Sequence, residues 1–194
     1  MKKSILLFLT VCLFSVAARA QQLNFGLKGG LNVAKFTNVD RTKARAGIYF
    51  GGFARVGLTE NWSIQPELVY SGQGFVADPP IIENHTVAVN YINLPIMAQY
   101  HFIPEFYLEA GPQIGFKVAA KVKNDGNSFD VGENYRGVDL GLGFGLGYDF
   151  DFGLGVNARY NFGLTNAADG DDKHANSVAQ FGLSYTFGKF SLKK

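Results

Sequence analysis

Hydrophobic and polar positions alternate strictly along residues 137–164. In the first half of this stretch every second side chain is apolar, and these residues are Val138, Leu140, Leu142, Phe144, Leu146, Tyr148 and Phe150. Glycine and aspartate occupy the positions between them. After Asp149–Asp151 the alternation restarts and continues to Leu164. Because successive side chains of a strand point to opposite faces, this pattern predicts a long antiparallel hairpin with one apolar face.

The opposite face of this hairpin indicates where it lies. A sheet face in water would carry charged and β-branched side chains, because glycine weakens a strand. Here that face is mostly glycine, with isolated Asp, Asn and Arg residues. Glycine suits a place where space is short, such as the inside of a narrow closed barrel. The apolar face then points outward into lipid, and the hairpin predicts a transmembrane β-barrel.

The same alternation recurs along the chain and predicts eight strands, at residues 23–33, 46–58, 62–72, 86–102, 106–122, 137–149, 154–164 and 177–187. Long polar connections (34–45, 74–85, 123–135 and 166–176) alternate with short turns. Outer-membrane barrels have short periplasmic turns and longer extracellular loops. The predicted fold is therefore all-β, an eight-stranded antiparallel barrel in the bacterial outer membrane. Its rival is a soluble lipocalin-like barrel, in which the aromatic and aliphatic rows would face inward.

Aromatic residues agree with a membrane barrel, because they gather at both ends of the predicted strands. Trp62, Tyr100 and Phe106 lie near short turns, whereas Phe50 and Tyr70 lie toward long loops. Aromatic rings sit well at the headgroup level, so two such girdles are expected.

The first 20 residues have the composition of a secretory signal peptide. Two lysines precede an apolar run, and Ala18-Arg19-Ala20 gives a small-x-small cleavage pattern. We expect cleavage between Ala20 and Gln21, leaving residues 21–194 as one barrel domain. The alternative, an N-terminal membrane anchor, is disfavoured because the run is shorter than the ~20 residues that span a bilayer. Cys12 is the only cysteine, so the mature chain offers neither a disulfide nor a cysteine metal site.

Charge adds little about partners but much about the lumen. The formal net charge of +2 gives no reason to expect a nucleic acid partner. The alternation turns nine charged side chains inward, namely Lys28, Arg55, Glu67, Glu109, Lys117, Lys121, Asp139, Arg159 and Asp149. Side chains fill the interior of an eight-stranded barrel, and unpaired buried charges are costly. We expect a salt-bridge network that fills the lumen; the alternative is a gated or proton-conducting path.

Three prolines fit badly, because Pro66, Pro95 and Pro112 fall inside predicted strands. Each removes a ladder hydrogen bond, and a closed barrel has no free edge to accommodate it. We expect bulges or a local loss of pairing at these residues.

Candidate catalytic and metal-binding groups are sparse. Ser71 or Ser177 could meet His85 or His174 at the extracellular rim, but no motif supports a nucleophile–histidine–acid set. The run Asp169–Asp172 lacks the ligand spacing of a calcium loop. We therefore expect no enzymatic activity, no cofactor and no metal.

Several segments resemble the PorT-like small outer-membrane β-barrel family, often labelled porin-family, with an OmpA/OmpX-like barrel architecture. They are Phe25–Phe36, Ile64–Gly74, Tyr91–Phe102, Phe106–Phe116 and Phe181–Phe187, and three of them contain the unexplained prolines. The chain departs from such barrels in its tail, because seven residues follow Phe187 where an aromatic end is usual. The resemblance implies fold and location, not a substrate.

The leading functional hypothesis is a non-enzymatic outer-membrane protein, either structural or an interaction scaffold with a filled polar lumen. The alternative is a narrow pore or a component of a secretion apparatus, which the resemblance allows. A lipid-modifying enzyme is a third hypothesis. The expected partners are outer-membrane lipid and lipopolysaccharide, the barrel-assembly machinery during insertion, and a protein that contacts the extracellular loops.

Overall fold

A computed structural model of the chain describes residues 22–37, 42–77, 85–124, 127–132, 135–165 and 175–188. The signal-peptide prediction with its Ala20–Gln21 cleavage site, His174 and the Asp169–Asp172 run lie outside these residues. The described residues form nine strands: β1 (Gln22–Phe36), β2 (Thr42–Gly57), β3 (Trp62–Ala77), β4 (Thr86–His101), β5 (Phe106–Asn124), β6 (Asn127–Asp130), β7 (Val138–Asp149), β8 (Leu154–Gly163) and β9 (Asn176–Phe187). None of the described segments is a helix long and apolar enough to cross a membrane.

Eight of the strands close into a barrel. They pair antiparallel in the order β4-β3-β2-β1-β9-β8-β7-β5, and pairing of β4 with β5 completes the ring. The short β6 pairs with the end of β5, from Lys121↔Asp130 to Asn124↔Asn127. The predicted all-β barrel of eight antiparallel strands is confirmed.

The apolar rows lie on the outside of the barrel. Leu142, Phe144 and Val156 are 37%, 51% and 41% exposed, whereas the neighbouring Gly141 and Gly143 are buried. A continuous apolar exterior of this extent is what bilayer hydrocarbon requires. The soluble lipocalin-like alternative is therefore wrong, because it needs these side chains inside.

The glycines of the inner face make room for aromatic rings. A Cβ atom at Gly147 would overlap the Tyr107 ring, and one at Gly182 would overlap the Tyr49 hydroxyl. Both tyrosines are only 2% exposed, because their rings lie over these glycines inside the narrow lumen. Tyr107 pairs directly with Gly147 on the neighbouring strand, and Gly30 pairs with both Tyr49 and Gly182. A glycine beside each large ring thus lets the lumen reach the packing density of a protein interior.

Several strands are longer than predicted. β1 reaches Phe36, β2 begins at Thr42 and β3 reaches Ala77, so parts of the predicted loops 34–45 and 74–85 are strand. β6 lies within the predicted loop 123–135. Polar side chains mark the end of the membrane-embedded part, but backbone pairing needs no apolar side chain and continues beyond it.

A bulge in β5 reverses the faces near its end. Tyr91 pairs with Lys117 but Asn90 pairs with Ala119, so Val118 is the extra residue. Beyond it Ala120 is fully buried and Lys121 is exposed. The prediction that Lys121 points into the lumen is wrong, because one inserted residue moves every later side chain to the other face.

The prolines interrupt pairing without shifting its register. They lie on three adjacent strands, at Pro66 of β3, Pro95 of β4 and Pro112 of β5. The β3–β4 ladder, for example, skips two residue pairs after Pro66↔Ile96 and resumes in the same register at Val69↔Asn93. Of the two predicted outcomes, local loss of pairing is therefore observed at the prolines, and the bulges lie elsewhere.

Phe144→Arg should destabilise the folded barrel in a bilayer, because Phe144 is a lipid-facing residue in the middle of β7. We expect a loss of about 2–4 kcal/mol in the free energy of unfolding, against about 0–1 kcal/mol for Val138→Arg at the end of the same strand. Urea unfolding in liposomes measures both. Equal losses at the two positions would contradict the assigned membrane depth.

Gly147→Ala should destabilise the barrel by about 1–3 kcal/mol, because the added methyl overlaps the Tyr107 ring. Gly52→Ala is the matched control: its Cβ would meet the Gly26 carbonyl oxygen at 3.6 Å, an ordinary contact. We expect the Gly147→Ala loss to shrink in a Tyr107→Leu background, as measured by a double-mutant cycle. Additive losses would show that the ring is not the obstacle.

Candidate functional site in the barrel lumen

Four buried charges meet in the middle of the lumen, and we name them the central quartet: Lys28, Glu67, Glu109 and Arg159. Lys28 Nζ donates to Glu67 Oε1 at 3.0 Å. Arg159 binds Glu67 through two parallel bonds, Nη2 to Oε1 at 2.7 Å and Nη1 to Oε2 at 2.9 Å. Arg159 Nε donates to Glu109 Oε1 at 2.7 Å. Each residue is at most 8% exposed.

The quartet comes from every second strand of the ring, namely β1, β3, β5 and β8. Strand alternation turns each side chain inward, and the register brings the four to one level. In narrow barrels, inward side chains from alternate strands stack in layers in this way. The quartet is such a layer, but it is built from ions.

The quartet is formally neutral, and neighbouring amides add hydrogen bonds to both of its carboxylates. Gln65 Nε2 donates to Glu67 Oε1 at 2.8 Å, and Gln99 Nε2 donates to Glu109 Oε2 at 3.1 Å. Buried charges cost much free energy unless they are paired and hydrogen-bonded. Bidentate arginine–carboxylate pairs are among the stronger arrangements that meet this requirement.

A second ion pair continues the network toward the short-turn end. Arg55 of β2 binds the carboxylate of Asp149 at the end of β7. Arg55 Nε also donates to Gln65 Oε1 at 2.8 Å, which connects this pair to the quartet. Its guanidinium lies 5.2 Å from the centre of the Tyr107 ring. Arg55 is 1% exposed, so it closes this part of the lumen.

Besides Lys121, two further residues of the predicted network lie elsewhere. Lys117 donates to the backbone carbonyls of Gly132 and Tyr135, beyond the quartet on the long-loop side. Asp139 accepts from Thr165 Oγ1 at 2.8 Å and from Asn176 Nδ2 at 2.9 Å. The structure therefore brings together Lys28, Arg55, Glu67, Glu109 and Arg159 with Asp149, and it holds Lys117 and Asp139 in separate polar contacts.

An apolar cluster fills the long-loop end of the lumen, and we name it the apolar cap. Its buried members are Phe36, Val87, Val89, Tyr91 and Ala120, with Phe75, Val122, Val131 and Tyr135 packed against them. Sequence reasoning missed the cap, because it assigned several of these residues to loops. Extending the inward alternation of β4 from Tyr91 back to Val87 would have revealed part of it.

The structure also places a serine beside a histidine, but not at the predicted rim. Ser63 Oγ lies 3.2 Å from His101 Nε2, and both residues are buried near the short-turn end. Ser63 Oγ also donates to Gln99 Oε1 at 3.1 Å, and His101 Nδ1 lies 3.3 Å from the Pro104 carbonyl oxygen. At the rim, Ser71 Oγ accepts from Asn32 and Gln73.

Ser177 contacts the Tyr160 hydroxyl. Across the described segments, no group of three or more His, Cys, Asp or Glu residues could hold a metal ion.

A closed barrel with an apolar exterior and a charged, filled lumen defines the class of small outer-membrane β-barrels. The chain belongs to the outer membrane protein β-barrel domain family, whose sequence profile matches residues 19–169. The protein is therefore located in the bacterial outer membrane, as predicted.

Solved structures with the same fold share little sequence with this chain. The attachment invasion locus protein Ail of Yersinia pestis is 15% identical, with a TM-score of 0.52 over 85% of this chain and 97% of that one. Neisserial surface protein A is 10% identical, with a TM-score of 0.56 over the same shares of the two chains. No curated protein matches. At these identities the likeness concerns the fold alone.

Glu67→Gln should cost about 3–5 kcal/mol in the free energy of unfolding, because it leaves Lys28 and Arg159 with one carboxylate between them. The variant Lys28→Met/Glu67→Gln restores a neutral quartet, with Arg159 paired to Glu109. We expect the double variant to lose less than the sum of the two single losses. Urea unfolding in liposomes measures the coupling, and additive losses would contradict a shared ion layer.

Proposed function

We propose that the protein is a non-enzymatic outer-membrane scaffold that does not conduct and that contacts partners through its extracellular loops. The observation that carries this proposal is the filling of the lumen at two levels. The central quartet occupies the middle, and the apolar cap occupies the long-loop end. The alternative of a narrow pore needs a continuous water path past both levels.

The two levels oppose ion flow for different reasons. At the quartet, each charge already has a partner, so a permeating ion would have to replace a short charge-assisted bond. At the cap, apolar side chains such as Val89 and Ala120, both fully buried, offer a permeating ion no replacement for its hydration shell. A conducting state would require both levels to rearrange.

Purified protein in planar bilayers should show no discrete current steps. The variant Phe36→Ala/Tyr91→Ala/Glu67→Ala/Arg159→Ala removes large side chains from both levels and serves as the control for detecting current. Its folding is checked by the mobility of unheated and heated samples in a gel. Discrete steps from the unaltered protein would contradict the non-conducting scaffold and favour the narrow pore.

The proposal of no catalysis rests on the bonding of the candidate nucleophiles. Ser63 and Ser71 are both fully buried in hydrogen-bond networks that occupy their hydroxyls. Deleting the gene should leave the lipid A species of the outer membrane unchanged in a mass spectrum of extracted lipid. A changed profile, restored by the intact gene but not by His101→Ala, would favour the lipid-modifying enzyme.

A component of a secretion apparatus is the second candidate. It is favoured by the resemblance of segments such as Phe25–Phe36 and Ile64–Gly74 to the PorT-like family, a finer assignment than the domain family itself. Under this reading the barrel is an anchor, and the extracellular or periplasmic ends bind the other subunits. Cross-linking in native outer membranes, followed by mass spectrometry, tests it: recovery without any secretion subunit would argue against it.

A further inference from the structure

A groove of about 540 Å³ runs along the wall of the barrel near the long-loop ends of β2 to β5. Small residues form much of its floor, and a side chain from β6 borders it. Two cationic residues of the groove are Arg45 and Lys121, and its small residues are Gly47, Gly72, Ala88 and Ala119. None of these belongs to the quartet or to the cap.

The groove opens to the outside of the barrel. Residues paired directly across two strands share a face, and Asn90 pairs with both Gly72 and Ala119. Val89 and Tyr91, which flank Asn90 on β4, point into the lumen as part of the apolar cap. Asn90 therefore points outward. Tyr70, which also borders the groove, packs against the exposed Phe50 with ring centres 5.1 Å apart. The groove therefore faces the surroundings of the barrel, and Arg45 and Gly47 border it where the register of β2 shifts between Ala44 and Tyr49.

The groove begins at the outer aromatic girdle and rises from it. Tyr70 and Phe116 both pair with Ile92, and they mark one level of the exterior. Asn90 and Ala88 are two and four residues further along β4. With a rise of ~3.3 Å per residue along a tilted strand, the groove extends on the order of 10 Å beyond the rings. That is the level of lipid headgroups in the outer leaflet.

The polar groups of the groove suit an anion. Arg45 Nη1 donates to the Gln73 carbonyl at 2.7 Å, which fixes the guanidinium, and its planar fork has further donors for an oxyanion. Lys121 is exposed on the opposite side of the groove. The nearby Asp130, paired with Lys121 across the strands, accepts from the Gly132 amide at 2.8 Å.

We propose that this groove binds the phosphorylated headgroup of an outer-leaflet lipid. Arg45 and Lys121 contact the phosphate, and the glycine and alanine floor lets the sugar or the proximal acyl chain lie close to the backbone. Lipid is the committed occupant because the groove lies at headgroup level, where phosphorylated lipid is present at high local concentration. The inference needs only the membrane location and stands whether or not the scaffold proposal holds.

The test is native mass spectrometry of the full-length mature protein in detergent micelles, titrated with lipid A that carries phosphates and with the same lipid after dephosphorylation. We expect Arg45→Gln/Lys121→Gln to weaken binding of the phosphorylated lipid about tenfold or more, because charge-assisted bonds are lost. Dephosphorylation should produce a similar drop for the unaltered protein. Lys35→Gln is the matched control, because Lys35 is an exposed cation at the long-loop end of β1 and does not line the groove.

A second variant separates shape from charge. Ala119→Leu keeps both cations but fills part of the floor of the groove, so it should weaken lipid binding. Lys35→Gln should bind lipid as the unaltered protein does. Barrel folding of each variant is checked by heat-dependent gel mobility.

Equal affinity of unaltered and double-variant protein, or equal binding of the two lipids, would overturn the proposal. Binding of inorganic phosphate alone with comparable affinity would overturn the assignment to lipid, as would tighter binding of a peptide than of lipid A.

Discussion

The width of an eight-stranded barrel constrains everything else in this protein. Eight strands enclose a space that inward side chains must fill completely but cannot overfill. Glycines on β7 and β9 therefore leave room for neighbouring tyrosine rings, as Gly147 does for Tyr107 of β5 and Gly182 does for Tyr49 of β2. The other face of each strand meets hydrocarbon, which accepts the large apolar side chains there.

Filling this space with ions instead of apolar groups imposes a further condition. Each buried charge needs a partner, and the partners of Glu67 come from β1 and β8, on strands that do not pair with β3. The quartet therefore connects walls that the backbone ladder does not connect. Two of its members, Glu67 and Glu109, lie close to Pro66 and Pro112, in the part of the wall where prolines interrupt the ladder of β3, β4 and β5.

The two ends of the barrel differ in kind. The short-turn end is closed by Arg55 and Asp149 and by hydrogen-bonded polar side chains, whereas the long-loop end is closed by the apolar cap. On the outside of the same end, the β5 bulge turns Lys121 away from the lumen and toward the headgroup level. One irregularity in β5 thus gives Ala120 to the cap and Lys121 to the outer groove.

The sequence alone determined the fold class, the number of barrel strands and which face meets lipid. Period-two alternation and turn length are local properties, so the outward position of Leu142 and the inward position of Gly143 follow from their sequence neighbours. The sequence also placed Glu67 and Arg159 inside. Only the tertiary structure decided which charges meet, since pairing depends on register and on closure of the ring: Lys117 and Asp139 share the inward face but bind elsewhere. Lys121 was predicted on the wrong face because of a bulge, and the apolar cap was missed because strands extend into predicted loops. Both features depend on pairing with neighbouring strands.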